Sequence, residues 1–220
     1  MGLFDKILAG AGKNAEAETG LSSAWTEDRV VTLNGMPETL DELKAAVDVK
    51  DPGSVAAYWV YSVMALTGDY ETGISMMKYL FADLEPFGRG FTEGGNRGLA
   101  GWNTGFNERL TDDDYRWLPR AYFCGAAASN GFKPAVPLAV ELHYNAPLTE
   151  AANSQSLKQQ GRANVVYWVR SNAAGCQVNI IVSRFDGSDR WYVTSGASSQ
   201  ELFYDQRAGL TAEAKAKLYT

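Results

Sequence analysis

The sequence predicts an α+β fold, with N-terminal helices packed on a C-terminal, mainly antiparallel β-meander. Two observations carry that expectation. Between Leu40 and Leu84 apolar residues recur every three or four positions, the period of a helix with a buried face. From Leu138 to Val193 they alternate, the period of a strand, and the segments between the alternating runs are short. Short joins force antiparallel neighbours, because a parallel return needs a long crossover.

The elements follow in chain order. Residues 1–24 read as an N-terminal extension and linker. Leu3, Phe4, Ile7 and Leu8 share one helical face, and residues 10–24 are rich in Gly, Ala, Glu and Ser without periodicity. The amphipathic piece reads as a frayed extension, with a weak membrane anchor or a partner-docking helix as alternatives. A single α+β domain is expected over residues 25–207. Arg29 to Leu33 is a β-branched run ended by Asn34-Gly35, a strong turn dipeptide. Thr39 and Glu42 have the spacing of a capping box ahead of Leu40, Leu43 and Val47. Asp51-Pro52 supplies an N-cap and a first helical residue.

The next helix, Val55 to Leu66, is apolar almost all round, so it belongs in the middle of the core. Gly68-Asp69 breaks it. Ile74, Met77, Leu80, Phe81 and Leu84 mark an amphipathic helix that Pro86 stops. Thr111 to Asp114 caps a short helix through Trp117. Leu138, Val140, Leu142 and Tyr144 then form one face of a strand. Val165, Tyr167 and Val169 form another, Cys176, Val178, Ile180 and Val182 a third, and Trp191 and Val193 a fourth. Residues 208–220 read as a C-terminal helix or tail of good helix formers.

Bulk properties exclude several classes of function. The chain of 220 residues has a net charge of −6 and no cluster of Lys and Arg. Phosphate backbones select basic surfaces, so no nucleic-acid partner is expected. No run of eighteen apolar residues occurs, so no transmembrane segment is expected. Two cysteines are too few for a disulfide framework and suit a reducing, cytoplasmic setting.

The search for chemistry finds little. His143 is the one histidine, which removes His-pair metal sites; no metal and no cofactor is expected. His143 shares a strand face with Glu141, which could orient it as a base. A polar-face histidine is the plainer reading, and no G-x-S-x-G elbow supplies a nucleophile. Asp112, Asp113 and Asp114 suit a helix N-terminus better than a calcium loop. Residues 88–105 hold seven glycines but match neither a P-loop nor a dinucleotide fingerprint. They read as a mobile loop, or as a lid or partner-binding loop because of Phe91, Trp102 and Phe106. Trp168, opposite the Tyr167 face, is a candidate platform for an apolar or sugar ligand.

Two stretches, VTLNGMPETLDEL at 31–43 and PRAYFCGAAASNGFKP at 119–134, carry a resemblance. The chain resembles an uncharacterised bacterial family of unknown function, found in gut Firmicutes and relatives. Its motifs are VTLNGMPxTLxEL and PRxYFxGAxxxNG(Y/F)xP. The resemblance would cover roughly Val30 to Gln206. Phe132 stands where the family often has Tyr, and residues 88–105 look like an insertion. The resemblance implies a bacterial source and a shared fold, and no activity.

Physically the second block reads as the connection from helices to sheet, with glycines permitting turns. A binding site built on it would use Arg120, Tyr122 and Asn130, with Trp102 as a further candidate. The sequence therefore points to a non-catalytic cytoplasmic binding or interaction protein, with a protein or small-molecule partner. Self-association is compatible with it. The alternative is a small-molecule binder or hydrolase-like enzyme with a pocket between helices and sheet, using His143 with Glu141.

Overall fold

The structure, a computed structural model, describes residues 21–82, 117–154, 161–173, 177–195 and 216–217. Four helices and five strands are described: β1 (Arg29–Thr32), α1 (Leu40–Ala46), α2 (Pro52–Leu66), α3 (Tyr70–Leu80), β2 (Ala139–Tyr144), α4 (Ala146–Ala152), β3 (Arg162–Arg170), β4 (Gln177–Phe185) and β5 (Trp191–Ser195). The strands form one sheet in the order β1-β2-β3-β4-β5, each antiparallel to its neighbour. The fold is α+β, as the periodicities predict. Among the described residues no helix is long and apolar enough to cross a membrane.

The helix starts follow local chemistry. Thr39 Oγ1 accepts from the Glu42 amide at 3.2 Å, and the Glu42 carboxylate accepts from the Glu38 amide at 2.7 Å. The capping box thus reaches one residue further back than its spacing suggests. Asp51 caps α2 through the Gly53 amide and also takes the Arg29 guanidinium in two bonds of 2.8 and 2.7 Å. One carboxylate thereby fixes the start of α2 against β1. Asp69 caps α3 through the Thr72 amide. This helix ends at Leu80, short of the expected Leu84. Phe81 turns extended, bridges Val193, and the Ala82 amide bonds the Val193 carbonyl at 2.9 Å. Tertiary pairing along the β5 edge wins over helical propensity here.

Helix α2 touches every strand of the sheet and also α3. The sheet residues Val31, Val140, Leu142, Val165, Tyr167, Val178, Ile180, Val182 and Val193 are buried in the same core cluster as the helix. The space between helices and sheet is therefore packed core. Among the described residues, alternate strand residues fill that layer with Val, Ile, Leu and Tyr side chains. On the other side of α2, Gly73 of α3 brings the two helices into close contact. A Cβ at Gly73 would lie 2.5 Å from the Leu66 amide nitrogen. Tyr58 and Tyr61 reach out of α2 to hold the Asn34–Pro37 turn. The Tyr58 hydroxyl accepts from the Asn34 amide at 2.9 Å, and the Tyr61 hydroxyl donates to the Pro37 carbonyl at 2.7 Å. Burial pushes the Tyr61 hydroxyl up to about 12.

Helix α4, which the sequence reading did not anticipate, takes over an edge of β3 after β2 ends. The Asn153 side chain accepts from the Asn164 amide at 2.8 Å and donates to the Asn164 carbonyl at 2.7 Å. Thr149 Oγ1 accepts from the Val166 amide at 2.9 Å. Side chains here do the work of a neighbouring strand, so buried backbone groups are not left bare.

The connection between helices and sheet runs through a 3₁₀ turn at Leu118–Tyr122 and a second at Ala128–Asn130. Gly125 and Gly131 both have left-handed backbones, with φ of +79° and +65°. An added Cβ at Gly125 would sit 2.6 Å from the Ala135 Cβ, and one at Gly131 would strike the Lys217 carbonyl. Phe132 is also left-handed, at φ 55°, and its buried ring stacks on Trp117 at 4.9 Å. Trp102, the other residues of 88–105, Asp112–Asp114 and Cys176 lie outside the described residues. So do residues 1–20 and most of the expected C-terminal helix.

Two stability predictions follow from these contacts. Gly125→Ala and Gly131→Ala should each cost about 2–4 kcal/mol in chemical denaturation, from left-handed strain plus a clash. Gly35→Ala, with φ +85° but open space around it, should cost only about 1–2 kcal/mol. Equal losses at all three sites would contradict the packing described. Asn153→Ala should cost about 3 kcal/mol, because it strands a buried amide and a buried carbonyl of Asn164.

Candidate functional site

The sheet has a second face, directed away from α2. By strand alternation it carries Glu141 and His143 of β2 and Trp168 and Arg170 of β3. These four residues, with Tyr122 and Cys124 of the connection, line a cleft of about 550 Å³.

Backbone pairing makes the cleft. Strands β2 and β3 pair only at His143–Trp168 and Tyr144–Tyr167. Beyond those pairs they part, and residues 121–124 occupy the gap. Phe123 bridges Val140, and the Cys124 amide bonds the Ala139 carbonyl at 2.8 Å. Asn172, just past β3, closes the junction. Its amide bonds the Ala121 carbonyl at 2.8 Å and its side chain donates to the Phe123 carbonyl at 3.0 Å.

His143 is the centre of the site. Its ring stacks on Trp168 with centroids 3.9 Å apart and planes 17° apart. Its Nδ1 lies 3.0 Å from Asp28 Oδ2, and Asp28 Oδ1 accepts from the Tyr144 amide at 2.8 Å. An ionised carboxylate can only accept, so His143 Nδ1 carries the proton. The His143 hydrogen bond, helped by the Tyr144 amide, holds the Asp28 carboxyl below the usual carboxylate range. Nε2 is turned toward Glu141, whose Oε1 is 3.7 Å away. Burial, reinforced by the Glu141 carboxylate, pushes the Cys124 thiol up, so it is held protonated and is a weak nucleophile.

The residues anticipated from sequence divide three ways. His143, Glu141, Tyr122 and Trp168 come together in the cleft. Glu141 shares the face with His143, but the closer tether on the ring is Asp28. Arg120 sits half-buried in its 3₁₀ turn and is not among the cleft-lining residues. The Asn130 side chain is committed within its own turn. It accepts from the amides of Ala127 and Lys133, and donates to the carbonyls of Gly125 and Lys133. Trp102 is outside the described residues. Sequence reasoning missed Asp28, which lies 115 residues from His143 and carries no local mark of its role. Arg170 could have been found, since it stands two positions from Trp168 and therefore on the same face.

Chemically, the arrangement offers a flat aromatic floor, both signs of charge and one imidazole nitrogen free to accept a proton. Among the described residues no group of three or more His, Cys, Asp or Glu is placed to hold a metal ion.

The Asp28–His143 contact gives a pH prediction. A carboxylate with a depressed folded pKa adds stability above its unfolded value of about 3.9, and that stability is lost as pH falls through the folded value. Asp28 is 65% exposed, so solvent screens the gain to less than about 1 kcal/mol. Asp28→Asn should therefore be slightly less stable than the parent above about pH 4 in urea titrations. The difference should vanish at lower pH; one that persists at about pH 2 would rule out the ionised contact.

Comparison with known proteins adds a family. No curated protein and no solved structure matches the chain. The family described as Domain of unknown function (DUF6935) matches residues 35–208. That span runs from the turn after β1 past the end of β5, so it takes in both strands of the cleft, while Asp28 precedes it. On a match over most of its length, the chain belongs to the DUF6935 family, whose function is unknown.

Proposed function

We propose that the protein is a binding protein that takes a small polar molecule into the cleft on the outer face of its sheet. The observation that carries this reading is the stacked His143–Trp168 pair. It is tethered by Asp28 and forms a preorganised floor next to the charged side chains of Glu141 and Arg170. A rigid floor costs little ordering on binding, and a cleft of this volume falls in the usual range for small-molecule sites. The setting in this reading is a bacterial cytoplasm, as the motif resemblance and the sparse cysteines support.

One observation favours a second reading, in which the bound molecule is also a substrate. With Nδ1–H committed to Asp28, the neutral His143 ring presents Nε2 as a proton acceptor. A base so placed needs a reacting group within hydrogen-bond reach.

The test is a thermal-shift screen of the full chain against fractionated small-molecule extract from bacterial cells, followed by tryptophan fluorescence. A ligand at about 100 times its dissociation constant adds about 2.7 kcal/mol, or roughly 5–10 °C for a chain of this size. At least one fraction should produce that rise with the parent and leave folded Trp168→Ala unmoved. If no fraction acts, or if Trp168→Ala responds equally, the cleft is not the binding site. Turnover of the bound molecule that disappears in His143→Gln would decide for the second reading.

A further inference from the structure

The charges lining the cleft are arranged in an unusual way. In an antiparallel pair in which His143 faces Trp168, the next residues on the same face are Glu141 and Arg170. Opposite charges at such positions ordinarily pair. Here β2 and β3 have already parted, because residues 121–124 fill the gap between them. Among the described residues, the nearest nitrogen-bearing ring to Glu141 is that of His143, whose Nε2 lies 3.7 Å from Oε1. The Arg170 side chain makes no ion pair or hydrogen bond among them, and it is exposed. The cleft thus presents an anion from β2 and a cation from β3, beside the stacked aromatic pair.

A ligand bearing a single charge would answer one of these charges and leave the other unpaired as water is displaced. That mismatch is costly. A ligand bearing both charges answers both. We propose that the cleft takes a zwitterion of the amino-acid class, a free amino acid or a short peptide. Its carboxylate lies on Arg170, its ammonium on Glu141, and its side chain over the Trp168–His143 pair. This rests on the reading of the cleft as a small-molecule site. The guanidinium fork fits a carboxylate bidentately, which an ammonium in its place would not do. The Glu141 side chain is 62% exposed, so an incoming ammonium can reach its carboxylate. A cleft of about 550 Å³ has room for either a single amino acid or a dipeptide, and the two are separated by experiment.

The test is calorimetric titration of the full chain with the standard amino acids and a panel of dipeptides. Each binder is then compared with its N-acetyl and carboxamide forms. At least one zwitterion should bind, and removing either of its charges should weaken it about 10- to 100-fold. Arg170→Gln should weaken the zwitterion by at least about tenfold while changing the affinity for its carboxamide less than about twofold. Glu141→Gln should do the same for the parent and its N-acetyl form. If either variant fails to fold, the modified ligands on the parent protein decide the question. The proposal is overturned if the uncharged forms bind as well as the zwitterion. It is also overturned if no zwitterion binds while an extract fraction still acts through Trp168, in which case the cleft remains a site for another ligand. If neither zwitterions nor extract fractions bind, the cleft reading falls with it.

Discussion

A helix with no polar face has to be covered on every side, and α2 sets that demand for the whole chain. Thirteen of its fifteen residues are buried. The sheet covers one side and α3 the other, brought close by Gly73. The Asn34–Pro37 turn is fastened to it by Tyr58 and Tyr61, and the Leu118–Tyr122 turn packs along it. Its start is fixed by Asp51, which holds Arg29 of β1 with the same carboxylate that caps the helix. Burial of apolar surface of this kind is the dominant favourable term in folding, so most other elements take their positions from this one.

The cleft is a consequence of how the sheet is completed around that helix. Strand β2 cannot pair with β3 along its whole length, because one of its edges is shared with the connection. Where β3 lacks a strand neighbour, Thr149, Asn153 and the loop at Asn172 supply the missing hydrogen bonds. The strands can therefore diverge without leaving bare backbone, and the divergence opens the cleft on the face that α2 does not use. Asp28 then tethers His143 from the end of the sheet, next to β1.

Much of this was legible in the sequence because it depends on neighbours in the chain. The buried helix announced itself by the lack of polar residues between Val55 and Leu66, and the strands by alternation. The caps at Thr39 and Asp51 follow from side chains two or three residues from the amides that donate to them. The pairing of Glu141 with His143 on one face was readable for the same reason. What was not legible depends on distant partners. Asp28 meets His143 only after β1 joins β2. Helix α3 stops early because β5 offers Phe81 and Ala82 a pairing edge. Asn130 looked like a ligand-binding residue because Asn is polar and sits beside glycines. Its four hydrogen bonds are all spent inside the turn. Helix α4 is short and begins Ala146-Pro147, which reads as loop until Asn145 caps it and β3 receives it.

Alternation along β2 and β3 places two kinds of demand on adjacent residues. Val140, Leu142, Tyr167 and Val169 answer to the core, while Glu141, His143, Trp168 and Arg170 answer to the cleft. Because these sets share a backbone but no layer, the cleft can diversify during evolution while the packing problem stays solved. The tether on His143 is separable in the same sense. It comes from Asp28, upstream of the residues that define the family, so relatives alike over residues 35–208 are free to differ in how firmly that ring is held. Variation among such relatives can then fall on one face of two strands and in a short segment ahead of them, without disturbing the core.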